Sequence, residues 1–171
     1  IAQDAVCYQE NDIMLGLRYL NDLARKQGMP LVICVALGTS FGGHNGDSLL
    51  ADILDIYATV RNRCVVVGTG NEAARRHHYF NRFTDAQDTR TAEIRVGEGT
   101  QSFAVELWST LPNIVMVSVT SPSGERTGMI PIRLGYLFDF LFTFERTTIT
   151  VEYRLLQRNN DAQLVFIRFQ N

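Results

Sequence analysis

One side-chain amide follows a stretch that the sequence predicts to be a buried strand. Residues 65–72 read VVVGTGNE, a short apolar run that ends in glycines and then delivers Asn71. Such a run is typical of a central parallel strand, and open α/β sheets bind ligands at the carboxyl ends of their strands. An amide held there can donate to a developing oxyanion. The alternative interpretation is an Asn that only satisfies the backbone of its own turn.

A serine in an earlier glycine-rich loop is a second candidate for chemistry. Residues 38–40 read GTS, and Ser40 is followed by His44 in the same loop, which spans residues 38–46. A nucleophilic serine needs a histidine base and a carboxylate that orients the base. We see no spacing that supplies this arrangement, so we interpret Ser40 as a hydroxyl that closes a glycine turn.

The glycines before Asn71 also match a nucleotide-binding pattern. Gly68, Gly70 and Ala73 fit the spacing GxGxxA after a predicted strand. However, no second strand–helix–strand unit follows, and Glu93 falls inside a predicted strand rather than at the end of one. A dinucleotide-binding domain therefore remains a remote alternative, and we predict no cofactor.

The histidines and the basic run around residue 76 are the remaining polar candidates. His44, His77 and His78 are the chain's three histidines, and they lack the regular spacing with thiols or carboxylates that a metal site uses. We therefore predict no metal site, and we interpret the run RRHH at 75–78 as a solvated joint between two halves of the chain.

Composition narrows the class of protein. The chain has 171 residues, 46% of them hydrophobic, with a formal charge of −2, which gives no general electrostatic case for binding nucleic acid. No apolar run approaches the roughly 20 residues that span a membrane. Cys7, Cys34 and Cys64 form no CxxC pair, and we expect Cys34 and Cys64 to be buried, inert thiols. Because the chain starts at Ile1 and ends in a strand-like run, we expect a piece of a longer protein.

The first half of the chain alternates helix and strand. Ile13, Leu17, Leu20 and Leu23 recur at helical spacing before a stop at residues 28–30. An apolar strand is predicted at 31–37, a helix that Asp47 or Ser48 caps follows, and a strand at 64–67 completes a βαβ unit. The open edge of this small sheet suggests pairing between copies of the chain, and hence a homo-oligomer.

The second half alternates with a period of two. Strands are predicted around 92–96, 103–107, 115–119, 130–134, 137–144, 149–155 and 164–169, with a turn at 121–124. Short, evenly spaced strands predict a β-sandwich or jelly roll. We therefore expect an α/β domain at 1–75, a joint at 76–91 and a β-sandwich at 92–171. The aromatic residues expected in the sandwich core are Trp108, Phe138, Phe140, Phe142 and Phe144.

Two motifs together resemble the subtilisin-like serine proteases, the subtilases. Residues 31–39 read LVICVALGT, and a helix separates them from VVVGTGNE at 65–72. The order, the spacing and the preceding helix at 10–17 all match that family over about residues 8–75. The β-rich remainder and the phrase CYQENDI at 7–13 resemble the Csp-like germination proteases of spore-forming clostridia, in which a jelly roll interrupts the protease fold.

The resemblance implies roles for particular residues. Asn71 corresponds to the oxyanion-hole amide, and two segments correspond to walls of the cleft for a peptide or protein substrate: Leu37, Gly38 and Thr39 on one side, and Gly68, Thr69 and Gly70 on the other. Gly68 and Thr69 stand where the family usually has alanines. The family's Asp and His precede this segment and its nucleophilic Ser follows, so we expect the chain by itself to be inactive. The resemblance also suggests an extracytoplasmic or spore-associated location in a Gram-positive bacterium.

A second class of function stays open at this point. The parent protein can be a non-catalytic relative of these proteases that senses a ligand or partner, with the β-sandwich as its interaction surface. The residues that distinguish an enzyme from a sensor are the family's Asp, His and Ser, which the resemblance places outside these 171 residues.

Overall fold

The computed structural model of the chain describes residues 8–156 and 161–171. The fold is an α/β part with a small parallel sheet, followed by a β-rich part with an antiparallel sheet, as predicted. These parts form two compact units that divide between His78 and Tyr79. We call them the α/β unit and the β unit. Cys7 lies outside the described residues.

The first helix of the α/β unit, α1 (Glu10–Lys26), ends where the sequence predicts. Gly28 adopts a left-handed φ of 64°. Its N–H donates to the Arg25 carbonyl at 3.3 Å, and the Met29 N–H donates to the Ala24 carbonyl at 2.9 Å. This pair of bonds is a Schellman motif, which satisfies the last carbonyls of the helix and turns the chain toward the sheet.

The rest of the α/β unit is one βαβ repeat. β1 (Leu31–Val35) and β2 (Arg63–Val67) are parallel neighbours, and α2 (Leu49–Thr59) connects them. Ser48 is the N-cap of α2, since its hydroxyl accepts a hydrogen bond from the Ala51 N–H at 3.1 Å. β1 is two residues shorter than predicted, because the ladder with β2 ends at the pair Val35 and Val67.

The two faces of this sheet differ in burial. α1 packs on β1, α2 packs on β2, and the two helices contact each other, so both lie on one face. Ile33 points to that face and is 4% exposed, whereas its neighbour Val32 is 68% exposed. Cys34 and Cys64 share the exposed face. The prediction that these thiols are buried is therefore wrong, because burial depends on which face the helices cover.

The β unit is built on a four-stranded antiparallel sheet. Its strands are β3 (Ser102–Thr110), β4 (Leu137–Phe142), β5 (Thr147–Leu156) and β6 (Ala162–Gln170), in the spatial order β3-β6-β5-β4. β4 and β5 therefore form a hairpin, and β3 and β4 are the edges of the sheet.

A segment with few regular hydrogen bonds covers one face of that sheet. Residues 115–134 contribute Val117 and Ile130 to the core, and the two residues form an isolated bridge. The Tyr153 hydroxyl accepts from the Val117 N–H at 3.1 Å and donates to the Ile130 carbonyl at 2.9 Å, so it ties this layer to the sheet. The predicted turn at 121–124 is present, with the Gly124 N–H donating to the Ser121 carbonyl at 3.0 Å.

Several predictions for the β half are wrong in detail. The alternating runs at 115–119 and 130–134 form only isolated bridges, and residues 92–96 are exposed and form no strand, since no other described strand pairs with them. Phe138, Phe140 and Phe142 do face the core. Phe144 lies in the turn after β4 and is 79% exposed. Trp108 points to the opposite face, because Val105 and Leu107 of the same strand supply the core side chains.

Candidate functional site

The two segments that the sequence singles out leave the parallel sheet at the same edge. β1 and β2 run in register, and one further hydrogen bond, from the Gly68 N–H to the Val35 carbonyl at 3.2 Å, continues their pairing beyond β2. Residues 36–41 follow β1 and residues 68–72 follow β2, and all of them are exposed. This is the carboxyl edge of the sheet, where α/β proteins place their ligands.

The first segment presents backbone and one anchored hydroxyl. Leu37 is 54% exposed, and Gly38 and Thr39 follow it without regular secondary structure. The Thr39 Oγ1 accepts a hydrogen bond from the Phe41 N–H at 3.1 Å. The hydroxyl that closes this glycine turn is therefore that of Thr39, whereas the sequence pointed to Ser40. Ser40 is exposed and makes no hydrogen bond with His44 among the described residues.

The second segment places a free amide in solvent. Gly70 has a φ of 77°, a left-handed conformation that strains any other residue, and it turns the chain just before Asn71. Asn71 is exposed, and in the described part of the chain its side chain makes no hydrogen bond. An unengaged amide at this position has its N–H donors available for a ligand. No hydrogen bond links residues 37–39 to residues 69–71 within the described ranges.

A small polar network follows Asn71 and was missed by sequence reasoning. The Glu72 carboxylate lies 3.1 Å from the Nδ1 of His77 and 3.6 Å from the Nη1 of Arg75. A 3-10 turn at Ala73–Arg75 and a left-handed Arg76, with a φ of 53°, bring these groups together. Exposed pairs of this kind contribute little stability, and they lie in the backbone that follows Asn71. The i, i+3 spacing of Glu72 and Arg75 was the available signal.

One contact connects the two loops at this edge. The rings of His44 and His78 lie 4.7 Å apart between centroids, with planes tilted by 50°. His44 belongs to the glycine-rich loop after β1, and His78 belongs to the segment after Asn71, so the contact relates parts of the chain that are distant in sequence. Among the described residues, no three His, Cys, Asp or Glu side chains are grouped closely enough to hold a metal ion.

A separate depression in the α/β unit lies away from these two segments. It has a volume of about 490 Å³ and lies among the carboxyl ends of both helices and the residues that lead into the two strands. Arg63 lines it, with its Nε bonded to the Asn21 Oδ1 at 2.9 Å and its Nη1 to the Met29 carbonyl at 3.2 Å. This depression contains none of the predicted site residues, because it lies at the amino edge of the sheet.

Comparison with known proteins gives a structural match without a sequence family. No family model matches the chain, and no curated protein matches it by sequence. Among solved structures, the chain is similar to the CspB protease of Clostridium perfringens, with a TM-score of 0.82 and 23% sequence identity. The match covers 99% of this chain and 36% of the protease, so this chain spans about a third of that protein's length. The fold of the two is shared. No helix in the described ranges is long and apolar enough to cross a membrane.

Proposed function

We propose that this chain is part of a subtilisin-like serine endopeptidase, in which it forms walls of the substrate cleft and supplies an oxyanion-hole amide. The observation that carries the proposal is the position of Asn71, an exposed amide at the carboxyl edge of the sheet. The shared fold with a clostridial protease supports the same conclusion. So do the two sequence motifs, which follow adjacent parallel strands in the order that the subtilases use.

The cleft walls act through their backbone. Residues 37–39 and 68–70 are exposed, irregular and in part glycine, so their amide and carbonyl groups, other than the Gly68 N–H that bonds Val35, can pair with an extended peptide. Main-chain pairing of this kind supplies affinity for any sequence, and side-chain pockets add specificity. The walls carry three side chains besides glycine, those of Leu37, Thr39 and Thr69, and in this proposal they shape the pocket for the residue before the scissile bond.

Asn71 acts at the step in which charge develops. When a serine attacks the carbonyl carbon of the substrate, the carbonyl oxygen becomes an oxyanion, and the Asn71 Nδ2–H donates a hydrogen bond to it. Gly70 permits the left-handed turn just before this amide, and the Glu72 ion pairs lie just after it. The serine, its histidine base and the aspartate come from other parts of the whole protein in this proposal, so the 171-residue chain alone is inactive.

A covalent probe tests the proposed reaction class. The whole protein should react with a fluorophosphonate at one serine outside these 171 residues, and the same reagent should abolish hydrolysis of a fluorogenic peptide. The isolated chain should not react, and the Ser40→Ala variant should behave as the unmodified chain does. Labelling of Ser40 would contradict the assignment of the nucleophile. A whole protein that neither reacts nor cleaves any peptide would instead favour the non-catalytic, sensing function.

A further inference from the structure

The edge strand of the β unit has few of the features that normally prevent edge pairing. β4 (Leu137–Phe142) pairs with β5 on one side, and on its other side no strand pairs with it within the described ranges. Proteins usually protect such an edge with lysine, proline, a bulge or a very short strand. β4 contains no Lys or Pro, and its ladder with β5 runs from Leu137 and Glu152 to Phe142 and Thr147 without a bulge.

This strand is apolar on its core face, and its other face has a leucine on either side of one charge, Asp139. Phe138, Phe140 and Phe142 point to the core, whereas Leu137 and Leu141 on the other face are 63% and 64% exposed. Exposed aromatic residues, Tyr136 and Phe144, lie just beyond its two ends. The opposite edge of the sheet, β3, is more polar and includes Ser102, Glu106, Ser109 and Thr110. The apolar edge of the β unit is therefore β4.

The single charge in β4 is turned toward the sheet. The Thr150 Oγ1 donates to the Asp139 Oδ1 at 2.6 Å, and the two residues are cross-strand partners on β5 and β4. This bond draws the carboxylate toward β5 and away from the open edge. Asp139 therefore protects the edge less than a free carboxylate would, but it still selects among possible registers because like charges opposite each other are unfavourable.

We propose that a second copy of this chain pairs with β4 in an antiparallel manner, centred on Phe140. In an antiparallel pair, residues opposite each other point to the same face of the sheet, so a symmetric pair of β4 strands must be centred on a residue. The two registers that pair the most residues are centred on Asp139 and on Phe140. The first places two Asp139 carboxylates side by side. The second places Phe140 opposite the partner's Phe140 and Phe138 opposite the partner's Phe142, which extends the aromatic core of each sheet across the boundary. The result is one eight-stranded sheet with two-fold symmetry.

The sequence of β4 favours a second copy over an unrelated peptide as the occupant. Its aromatic residues at 138, 140 and 142 are symmetric about Phe140, so each of them lies opposite an aromatic residue of the partner strand. In this register Leu141 lies opposite the partner's Asp139. This inference concerns the β unit and is independent of the proposed protease function.

A pair of charge variants at Leu141 tests both the pairing and its register. Leu141→Asp places a new carboxylate opposite the partner's Asp139, and the two-fold symmetry repeats this pair once more in the dimer. Leu141→Lys places an ammonium group opposite each Asp139 instead. In sedimentation equilibrium of the full 171-residue chain we expect the unmodified protein to dimerise. Leu141→Asp should weaken the dimer by about 10-fold, and Leu141→Lys should leave it unchanged or tighter. In the Asp139-centred register both substitutions face Leu137 and weaken the dimer alike.

Different results would overturn the register and the dimer. Equal dissociation constants for the two variants would overturn the Phe140-centred pairing, and a chain that is monomeric throughout a concentration series would overturn the dimer. Leu141 is largely exposed, so both variants should fold, which circular dichroism checks. Hydrogen exchange on the unmodified chain needs no variant: protection of the β4 amides should rise with protein concentration, and protection that is independent of concentration would contradict the proposal.

Discussion

The two units of this chain bury their apolar residues to different extents. In the β unit, Ile149, Val151, Tyr153 and Val165 are fully buried in one continuous core. In the α/β unit the buried residues are Leu17, Ala24 and Ile33, and valines of its sheet are exposed. The unit that carries the predicted site therefore has little core of its own among the described residues. The proposed site lies at the edge of a sparsely buried sheet, while the β unit has one continuous core.

The same substitution in the two sheets gives the largest expected contrast. Val151→Ala in β5 removes two fully buried methyl groups and should lower the free energy of unfolding of the β unit by about 2–3 kcal/mol. Val32→Ala in β1 alters a side chain on the exposed face and should change stability by no more than about 0.5 kcal/mol. Urea denaturation of both variants measures the difference. Equal losses would show that the exposed face of the parallel sheet is covered in solution.

The buried hydroxyl of Tyr153 provides the next contrast. Tyr153→Phe leaves the Val117 N–H and the Ile130 carbonyl without their partner, which should cost about 1–2 kcal/mol. Tyr136→Phe, at an exposed position, is the matched control and should be neutral. Denaturation curves provide the test, and a neutral Tyr153→Phe would mean that the hydroxyl does not tie residues 115–134 to the sheet.

Loss of a helix cap tests the α/β unit. Ser48→Ala removes the bond from the Ala51 N–H and should destabilise α2 by about 1 kcal/mol. Ser40→Ala, in the exposed glycine-rich loop, should leave stability unchanged. Hydrogen exchange of the α2 amides compares the two variants. A loss that extends equally into β5 and β6 would indicate that the two units unfold together rather than separately.

Acid should affect the β unit through Glu152. Hydrogen bonds from Arg154 hold the pKa of Glu152 below its ordinary value of 4.5. Desolvation raises the pKa by less than these bonds lower it, and the charges of Arg154 and Arg168 lower it further. A depressed carboxyl pKa contributes stability above the ordinary value, and that contribution is lost as the pH falls through the folded-state pKa. We expect a small loss of stability below pH 4.5, and Glu152→Gln should reduce this dependence. An unchanged acid profile in that variant would contradict the assignment.

Local sequence signals predicted helix ends and turns better than they predicted which face of a sheet is buried. The stop at Gly28, the cap at Ser48 and the turn at Ser121 depend on neighbouring residues, and each is found in the structure. The exposure of Cys34 depends on where helices pack, and the sequence pattern does not state this. A strand such as 92–96 needs a partner as well as an alternating pattern.

The parts of the candidate site were also unequally predictable. The placement of residues 37–39 and 68–71 at one sheet edge follows from two consecutive parallel strands, so the sequence could predict it. The approach of His44 to His78 joins residues far apart in the chain, and no local pattern indicates it. The wrong prediction that Trp108 lies in the core has the same origin. Which alternate residues of a strand face the core is set by its pairing register with neighbouring strands, and these are distant in sequence.

Steady-state kinetics of Asn71→Ala in the whole protein tests the central claim most directly. Removal of one oxyanion donor typically lowers kcat by about 100-fold or more, and we expect KM for a peptide substrate to change much less, because the bond forms in the transition state. Asn113→Ala, at an exposed position in the β unit, is the control and should retain full activity. A kcat within a few-fold of the unmodified enzyme would contradict the role of Asn71 as the oxyanion donor.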